Sequence, residues 1–387
     1  MNAGMSAAVQ VTERAEDDAL QVLLGMVSAK ARQFSEDQQV DAETVEAMKA
    51  AGVYRALVPA QFGGDEKSPV EFLRLLETIA VQDGSAGWVA SFGVSHMYLA
   101  SLPAKTLEQV YADGPDVVFA GTIFPPIPAV RVEGGYRVTG RWPFGSGSTG
   151  ASLIGVGIRD EGGSASGLPR TAVMRADKVK IVPNWDVIGL RGTGSHDLVV
   201  EDVFVPDEWT FVRGAPATID LPAYRYPPLA LAAQVLAVVG LGVARAALDL
   251  MGKMAGTRGS ITGAPVMAER ANVQIALAKG ESQWQATRAW FFEVTGQVCA
   301  MIEAGQTPTR QQVAMIRMAA TQAARTGADV TRLMFEQAGT AGIFNSHPFS
   351  RLLQDALVVN QHAFLNEATW QSAGKVLLGL DAPAGFP

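Results

Sequence analysis

Apolar and polar positions follow a helical rhythm from residue 1 to about 115, a strand rhythm to about 213, and a helical rhythm again to the end. In DAETVEAMKAAGVYRAL, Val45, Met48, Val53 and Leu57 roughly track one helix face. Asp41 can cap that helix through a side-chain oxygen, and Glu43 and Glu46 suit the positive end of its dipole. Thr44 stands where a full capping box needs Glu or Gln, and Gly52 is expected to end the helix. PAQFGGDEKSP is loop chemistry. Pro69 then opens a helix that should close near Gly84. The apolar, small-residue stretch SAGWVASFGVSHMYLASLP reads as a buried helix.

The middle segment is a series of short runs rich in Val and Ile, punctuated by Gly-Gly and Pro. It predicts a meander of hairpins forming a small barrel or sandwich, with Gly134-Gly135 at one turn. After about residue 225, long Ala-, Leu- and Gln-rich runs predict four or five helices in a bundle. Thr309 or its neighbours after Pro308 mark one start, and Gly339 and Gly342 mark a break. The fold class is therefore α+β, mostly α. The expected domains are helical at 1–115, a β domain at 116–213 and a helical bundle at 214–387.

Composition narrows the chemistry. A net charge of −7 argues against non-specific nucleic-acid binding, and no Lys/Arg run forms a patch for DNA or membrane. The single cysteine, Cys299, sits in apolar VTGQVCAMI and reads as a buried small hydrophobe. Its solitude excludes an intramolecular disulfide and a cysteine-built zinc site. With a single cysteine the cytoplasm is the expected compartment, and the N-terminus does not read as a signal peptide. Leu229 to Ala244 is apolar enough to suggest a membrane span, but it is short of the ~20 residues usually needed and Gln234 interrupts it. A helix buried on nearly all faces is the expectation.

Common catalytic motifs fail on context. GLGVA at 240–244 lies in a helical run and not after a strand, so it is not a dinucleotide loop. AGKV around Lys375 lacks phosphate-loop spacing, and GSGSTG at 145–150 lacks that of a serine hydrolase. The four histidines, His96, His196, His347 and His362, are not spaced as metal pairs, and no metal is expected. His196 reads as structural, and His347 as bounding a helix.

Four stretches, in order, carry a family resemblance: DGSAGWVASFGVSHMYLA, GRWPFGSGSTGA, WDVIGLRGTGSHDLVVEDVFVP and HPFSRLLQDALVVNQHAF. Together with the order of helices, strands and helices, they make the chain resemble acyl-CoA dehydrogenases from about residue 15 to 380. It is more similar to their oxygen-using relatives, the oxygenase components of two-component flavin-dependent monooxygenases. These include dibenzothiophene monooxygenase, 4-hydroxyphenylacetate hydroxylase and the steroid phenol hydroxylases. The dehydrogenases abstract a proton with a glutamate near the C-terminus or in the first bundle helix. Here the first site reads Gln361-His362, and residues 226–250 contain no Glu, so that chemistry lacks an obvious base.

The resemblance implies a reduced-flavin enzyme, supplied by a separate reductase, that hydroxylates a small aromatic or phenolic substrate through a C4a-hydroperoxyflavin. Ser146 matches the serine near flavin N5 and the peroxide, and His96 and His362 match the histidines facing peroxide and substrate. Gly121 and Thr122 match the segment beneath the flavin ring. Trp142 and Phe144 stand either beside that ring or in the strand core. Arg258 matches an arginine that reaches phosphate across a subunit boundary, while Gln337 and Gly339, in QAGTAG, match a turn approaching a neighbour's cofactor. Ile261 stands where the dehydrogenases have Phe-Gly, which leaves FMN and FAD both open. The shared site implies a homotetramer. A dehydrogenase with a displaced base and an N-oxygenase of an amine or amino sugar are the competing readings. An apolar helix bearing Trp284, Trp290, Phe291 and Phe292 favours an aromatic substrate over an amine, although those residues suit a bundle core equally.

Overall fold

The structure is a computed structural model that describes residues 2–159, 168–257 and 265–382, with side chains from residue 17 onward. Contacts divide it into two compact units. The first comprises Met1–Phe72, Val89–Asp186 and Gly192–Pro228, and the second Leu73–Trp88, Val187–Arg191 and Leu229–Pro387.

In the first unit, α1 (Asn2–Asp37) and α2 (Ala42–Ala50) precede the strands, while α3 (Pro69–Gln82) begins at Pro69 as its sequence predicts and belongs mostly to the second unit. Asp41 caps α2 by accepting the Thr44 amide at 2.8 Å, as its side chain predicts. The helix ends at Ala50, and Gly52 follows with φ +75°. The stretch read as one buried helix is broken into α4 (Gly84–Ala90), a tight turn at Ser91–Ser95 and α5 (His96–Leu99). The break falls where Gly93 meets other backbone: a Cβ there would lie 2.7 Å from the Val53 carbonyl oxygen.

Two four-stranded sheets follow the short helix α6 (Ala104–Val110). One orders β1 (Phe119–Pro128), β4 (Leu153–Arg159), β5 (Arg170–Arg175) and β8 (Thr210–Val212) side by side. The other orders β2 (Val130–Val132), β3 (Gly135–Gly145), β7 (His196–Pro206) and β6 (Lys180–Val182). Ala120, Ile154, Val156 and Met174 from the first sheet share a core with Tyr136, Val138, Trp142, Leu198 and Val200 from the second, so the architecture is a sandwich. It is not the simple meander expected, because β1 and β4 pair in parallel. The β2–β3 turn is Glu133-Gly134, and Gly135 already belongs to β3.

In the second unit the bundle consists of α7 (Pro228–Thr257), α8 (Ala271–Glu303), α9 (Arg310–Ala338), α10 (Pro348–Val359) and α11 (Glu367–Leu377). The apolar run of α7 is a core helix, with 83% of its most apolar window buried in protein. Gln234, fully buried, donates to the Thr295 hydroxyl at 2.7 Å. The glycines of GLGVA serve packing. A Cβ on Gly327 of α9 would lie 2.6 Å from the Gly240 carbonyl oxygen, so the two backbones approach where neither has a side chain. Thr309 and Gln312 close a capping box on α9, and Gly339 caps its far end. His347 caps α10, accepting the Phe349 amide. Cys299 is buried and not in a disulfide.

Candidate active site

The first unit builds a hydroxyl cluster. Phe144 (φ +65°) and Gly147 (φ +69°) bend the chain out of β3 into a tight loop that carries Ser146. The Gly147 amide donates to the Thr193 carbonyl at 2.9 Å, fastening this loop to the segment before β7. The Ser146 and Ser195 hydroxyls are 2.6 Å apart, and Ser195 and Thr193 are 2.7 Å apart. Ser195 and Thr193 are buried, whereas Ser146 is half-buried. His196 is structural as expected: its Nδ1 accepts the backbone amides of Asn184 and Trp185, each at 3.1 Å.

The two aromatic candidates separate. Trp142 is wholly buried, and its indole N–H donates to the Gly157 carbonyl at 2.9 Å, which leaves it no face for a ligand. Of its two expected places, Trp142 takes the strand core. Phe144 is 63% exposed and stands edge-on to Trp185 with ring centres 6.2 Å apart. Gly121 has φ +150°, and a Cβ there would lie 1.9 Å from the Gly155 carbonyl oxygen, so the β1–β4 pairing demands glycine. Thr122, half-buried beside it, donates its hydroxyl to the Phe124 carbonyl at 3.2 Å.

His96 has no exposed surface. Its Nδ1 lies 2.8 Å from the Tyr111 hydroxyl, and its Nε2 makes no complete hydrogen bond. Burial pushes its pKa down to about 4 against a smaller opposing pull from the Val117 backbone, so the ring is neutral. Tyr111, stacked on Phe62, has its own pKa raised by burial.

In the second unit, His362 lies past the end of α10, at the start of a tight turn and not on a helix face. Its Nδ1 accepts the Phe364 amide at 3.2 Å, which leaves the proton on Nε2. The half-buried ring stands edge-on to Trp88, with centres 5.7 Å apart. Gln337 accepts from the Asn272 side chain at 2.8 Å on the exposed end of α9, and Gly339 follows with φ +61°. Arg258 and Ile261 lie outside the described residues. Among the described residues no cluster of His, Cys, Asp or Glu is arranged to hold a metal.

Sequence reasoning did not single out Ser195, Thr193, Tyr111 or Trp88. The signal for the first two was present in RGTGSHD: two hydroxyl residues flanking Gly194, whose φ of +55° makes the turn.

The acyl-CoA dehydrogenase C-terminal domain model matches residues 234–367. Indole-3-acetate monooxygenase of Acinetobacter baumannii is 50% identical over 359 residues, covering 92% of each chain. The chain belongs to the flavin-dependent monooxygenases of the acyl-CoA dehydrogenase fold. A flavin-dependent monooxygenase oxygenase subunit of Rhodococcus jostii is 28% identical over 89% of this chain and 93% of its own. The crystal structure of 3-HSA hydroxylase from Rhodococcus sp. RHA1 superposes with a TM-score of 0.87, covering 95% of this monooxygenase and 98% of that chain at 26% identity. This monooxygenase is an oxidoreductase, and its relatives act on aromatic substrates.

Proposed function

We propose that this monooxygenase takes reduced FMN or FAD from a separate reductase and hydroxylates an aromatic acid of the indole-3-acetate class. The identity to an indole-3-acetate monooxygenase supports the substrate class. The observation that carries the reaction type is His362: with Nδ1 engaged by the Phe364 amide, it offers an N–H donor where a dehydrogenase needs a carboxylate base.

The residues present fit a flavin. An exposed aromatic, Phe144, adjoins a loop with a half-buried serine hydroxyl, a combination suited to a planar ring with polar edges. Gly121 and Thr122 are proposed beneath the ring, with Arg258, Gln337 and Gly339 reaching the cofactor of a neighbour in a homotetramer. When bound, reduced flavin supplies activated oxygen. Ser146 contributes a fixed hydrogen bond in place of water, which would otherwise divert that oxygen to hydrogen peroxide, and His362 is separately proposed as a hydrogen-bond donor. His96 is neutral at working pH and has no exposed surface, so its proposed part is to hold a hydrogen bond to Tyr111 within the protein and not to act as an acid. Its proposed domains are the helical segment 1–115, the β segment 116–213 and the helical bundle 214–387, and its proposed compartment is the cytoplasm.

The test is a single turnover with labelled oxygen: protein, reduced FMN or FAD and indole-3-acetate, mixed anaerobically and then oxygenated. Label in a hydroxylated product is expected, with His362→Ala diverting oxygen to hydrogen peroxide. Peroxide alone with both flavins and a panel of aromatic acids would count against the proposal. Bleaching of the oxidised flavin by an acyl-CoA thioester would establish the dehydrogenase reading instead.

A further inference from the structure

We infer that Ser195 and Thr193 are positioning residues that let the Ser146 hydroxyl switch between donating and accepting a hydrogen bond as the bound flavin changes redox state. The inference rests on the functional reading above, with Ser146 near flavin N5 as the family resemblance implies. Ser195 is the middle of a three-hydroxyl chain, 2.6 Å from Ser146 and 2.7 Å from Thr193. It is 4% exposed and Thr193 is 2% exposed, so water does not compete for these bonds.

Each hydroxyl has one proton and two lone pairs, and its proton rotates to suit its neighbours. With Thr193 donating to Ser195 and Ser195 donating to Ser146, the Ser146 proton is free to donate outward. With the chain reversed, Ser146 donates inward and turns its lone pairs outward. Oxidised flavin has an unprotonated N5, which accepts; reduced flavin has N5–H, which donates. A serine bonded to a partner of fixed donor or acceptor sense would serve one of the two states only by losing that internal hydrogen bond. A chain of rotors serves both by turning together, with no heavy atom moving. The backbone keeps the chain in place, because the Gly147 amide is bonded to the Thr193 carbonyl at 2.9 Å whichever way the protons point.

The experiment measures binding of oxidised and reduced FMN and FAD, anaerobically for the reduced forms. It also records the visible spectrum of the bound oxidised flavin and the thermal midpoint. The proteins are the wild type, Ser195→Ala, the near-isosteric Thr193→Val, Ser146→Ala and the double variant Ser146→Ala/Ser195→Ala. Ser195→Ala is expected to weaken binding of at least one redox state by roughly fivefold, the worth of one net hydrogen bond. The ratio of oxidised to reduced affinity and the spectrum should change with it, and Thr193→Val should shift them in the same direction. The double variant should be no weaker than Ser146→Ala, because Ser195 acts through Ser146. Wild-type ratios and spectra in both Ser195→Ala and Thr193→Val would overturn the inference, as would a Ser195→Ala loss that adds fully to that of Ser146→Ala. A wild-type chain that binds neither flavin would overturn the functional reading and this inference with it.

Discussion

The Asp355 carboxylate accepts the backbone N–H of Leu190 at 2.6 Å, a bond between residues 165 apart in sequence. It pins the Val187–Arg191 segment, within WDVIGLRGTG, to α10. Leu190 sits at φ +51°, a conformation that a leucine holds only when its surroundings fix it. A Cβ on neighbouring Gly189 would lie 2.2 Å from the Gln354 carbonyl oxygen. Asp83, which caps α4 through the Ala86 amide, bonds Arg351, while the second Asp355 oxygen is 4.0 Å from that guanidinium and has no hydrogen bond. Two buried carboxylates thus share one cation.

That sharing predicts a pH dependence. Burial and the nearby Asp83 charge, against the pull of Arg351, raise the Asp355 pKa from 3.8 to about 7. A raised folded pKa means the folded state binds the proton more tightly than the unfolded chain. The stabilisation is complete below about 4 and is lost as pH rises through about 7. Asp355→Asn keeps an oxygen for the Leu190 amide and has no charge to bury. Its thermal midpoint relative to wild type should therefore climb across that window, as calorimetry at a series of pH values would show. A constant difference would refute the assignment.

His96 has the opposite sign. Its pKa falls from 6.5 to about 4, so its contribution is complete above 6.5 and is lost as pH falls toward 4. Nitrogen NMR of labelled imidazole should find this ring neutral above pH about 5, one unit above its folded pKa. Tyr111→Phe, which strands Nδ1, should cost about 1–3 kcal/mol in urea unfolding.

Trp142 and Phe144 should part ways in mutation. Trp142→Phe leaves the Gly157 carbonyl without its donor in the sandwich core and should cost about 1–3 kcal/mol. Flavin affinity in the surviving folded protein should be unchanged. Phe144→Ala removes an exposed ring, so stability should hold within about 0.5 kcal/mol. Flavin binding should weaken, as a paired denaturation and flavin titration would reveal.

Gly121→Ala should be severe. The new methyl would need to displace the Gly155 carbonyl from a position 1.9 Å away, and alanine would be strained at φ +150°. A loss of about 3 kcal/mol or more is expected, read as a lowered urea midpoint.

Local signals carried much of the fold. Asp41, Thr309 and Pro69 act within a few residues of themselves, so their helix starts were readable without any partner. The Val- and Ile-rich runs announced strands, though not that β1 and β4 would pair in parallel. Strand alternation did not sort Trp142 from Phe144, because the β3–β7 register shifts between Trp142 and Gly145 and Phe144 turns to positive φ. The motifs placed Ser146 and His362 as candidates by likeness alone. The partners that define them came only with the tertiary structure: Ser195 stands 49 residues from Ser146, and Trp88 lies far upstream of His362. Hydrogen-bond distance and burial are properties of the folded chain, so the hydroxyl chain at Ser195 and the shared charge at Asp355 were decided by long-range packing. The sequence by itself determined the order of helices and strands, because that depends on local propensity and periodic pattern, and its four motif stretches carried the resemblance to the family.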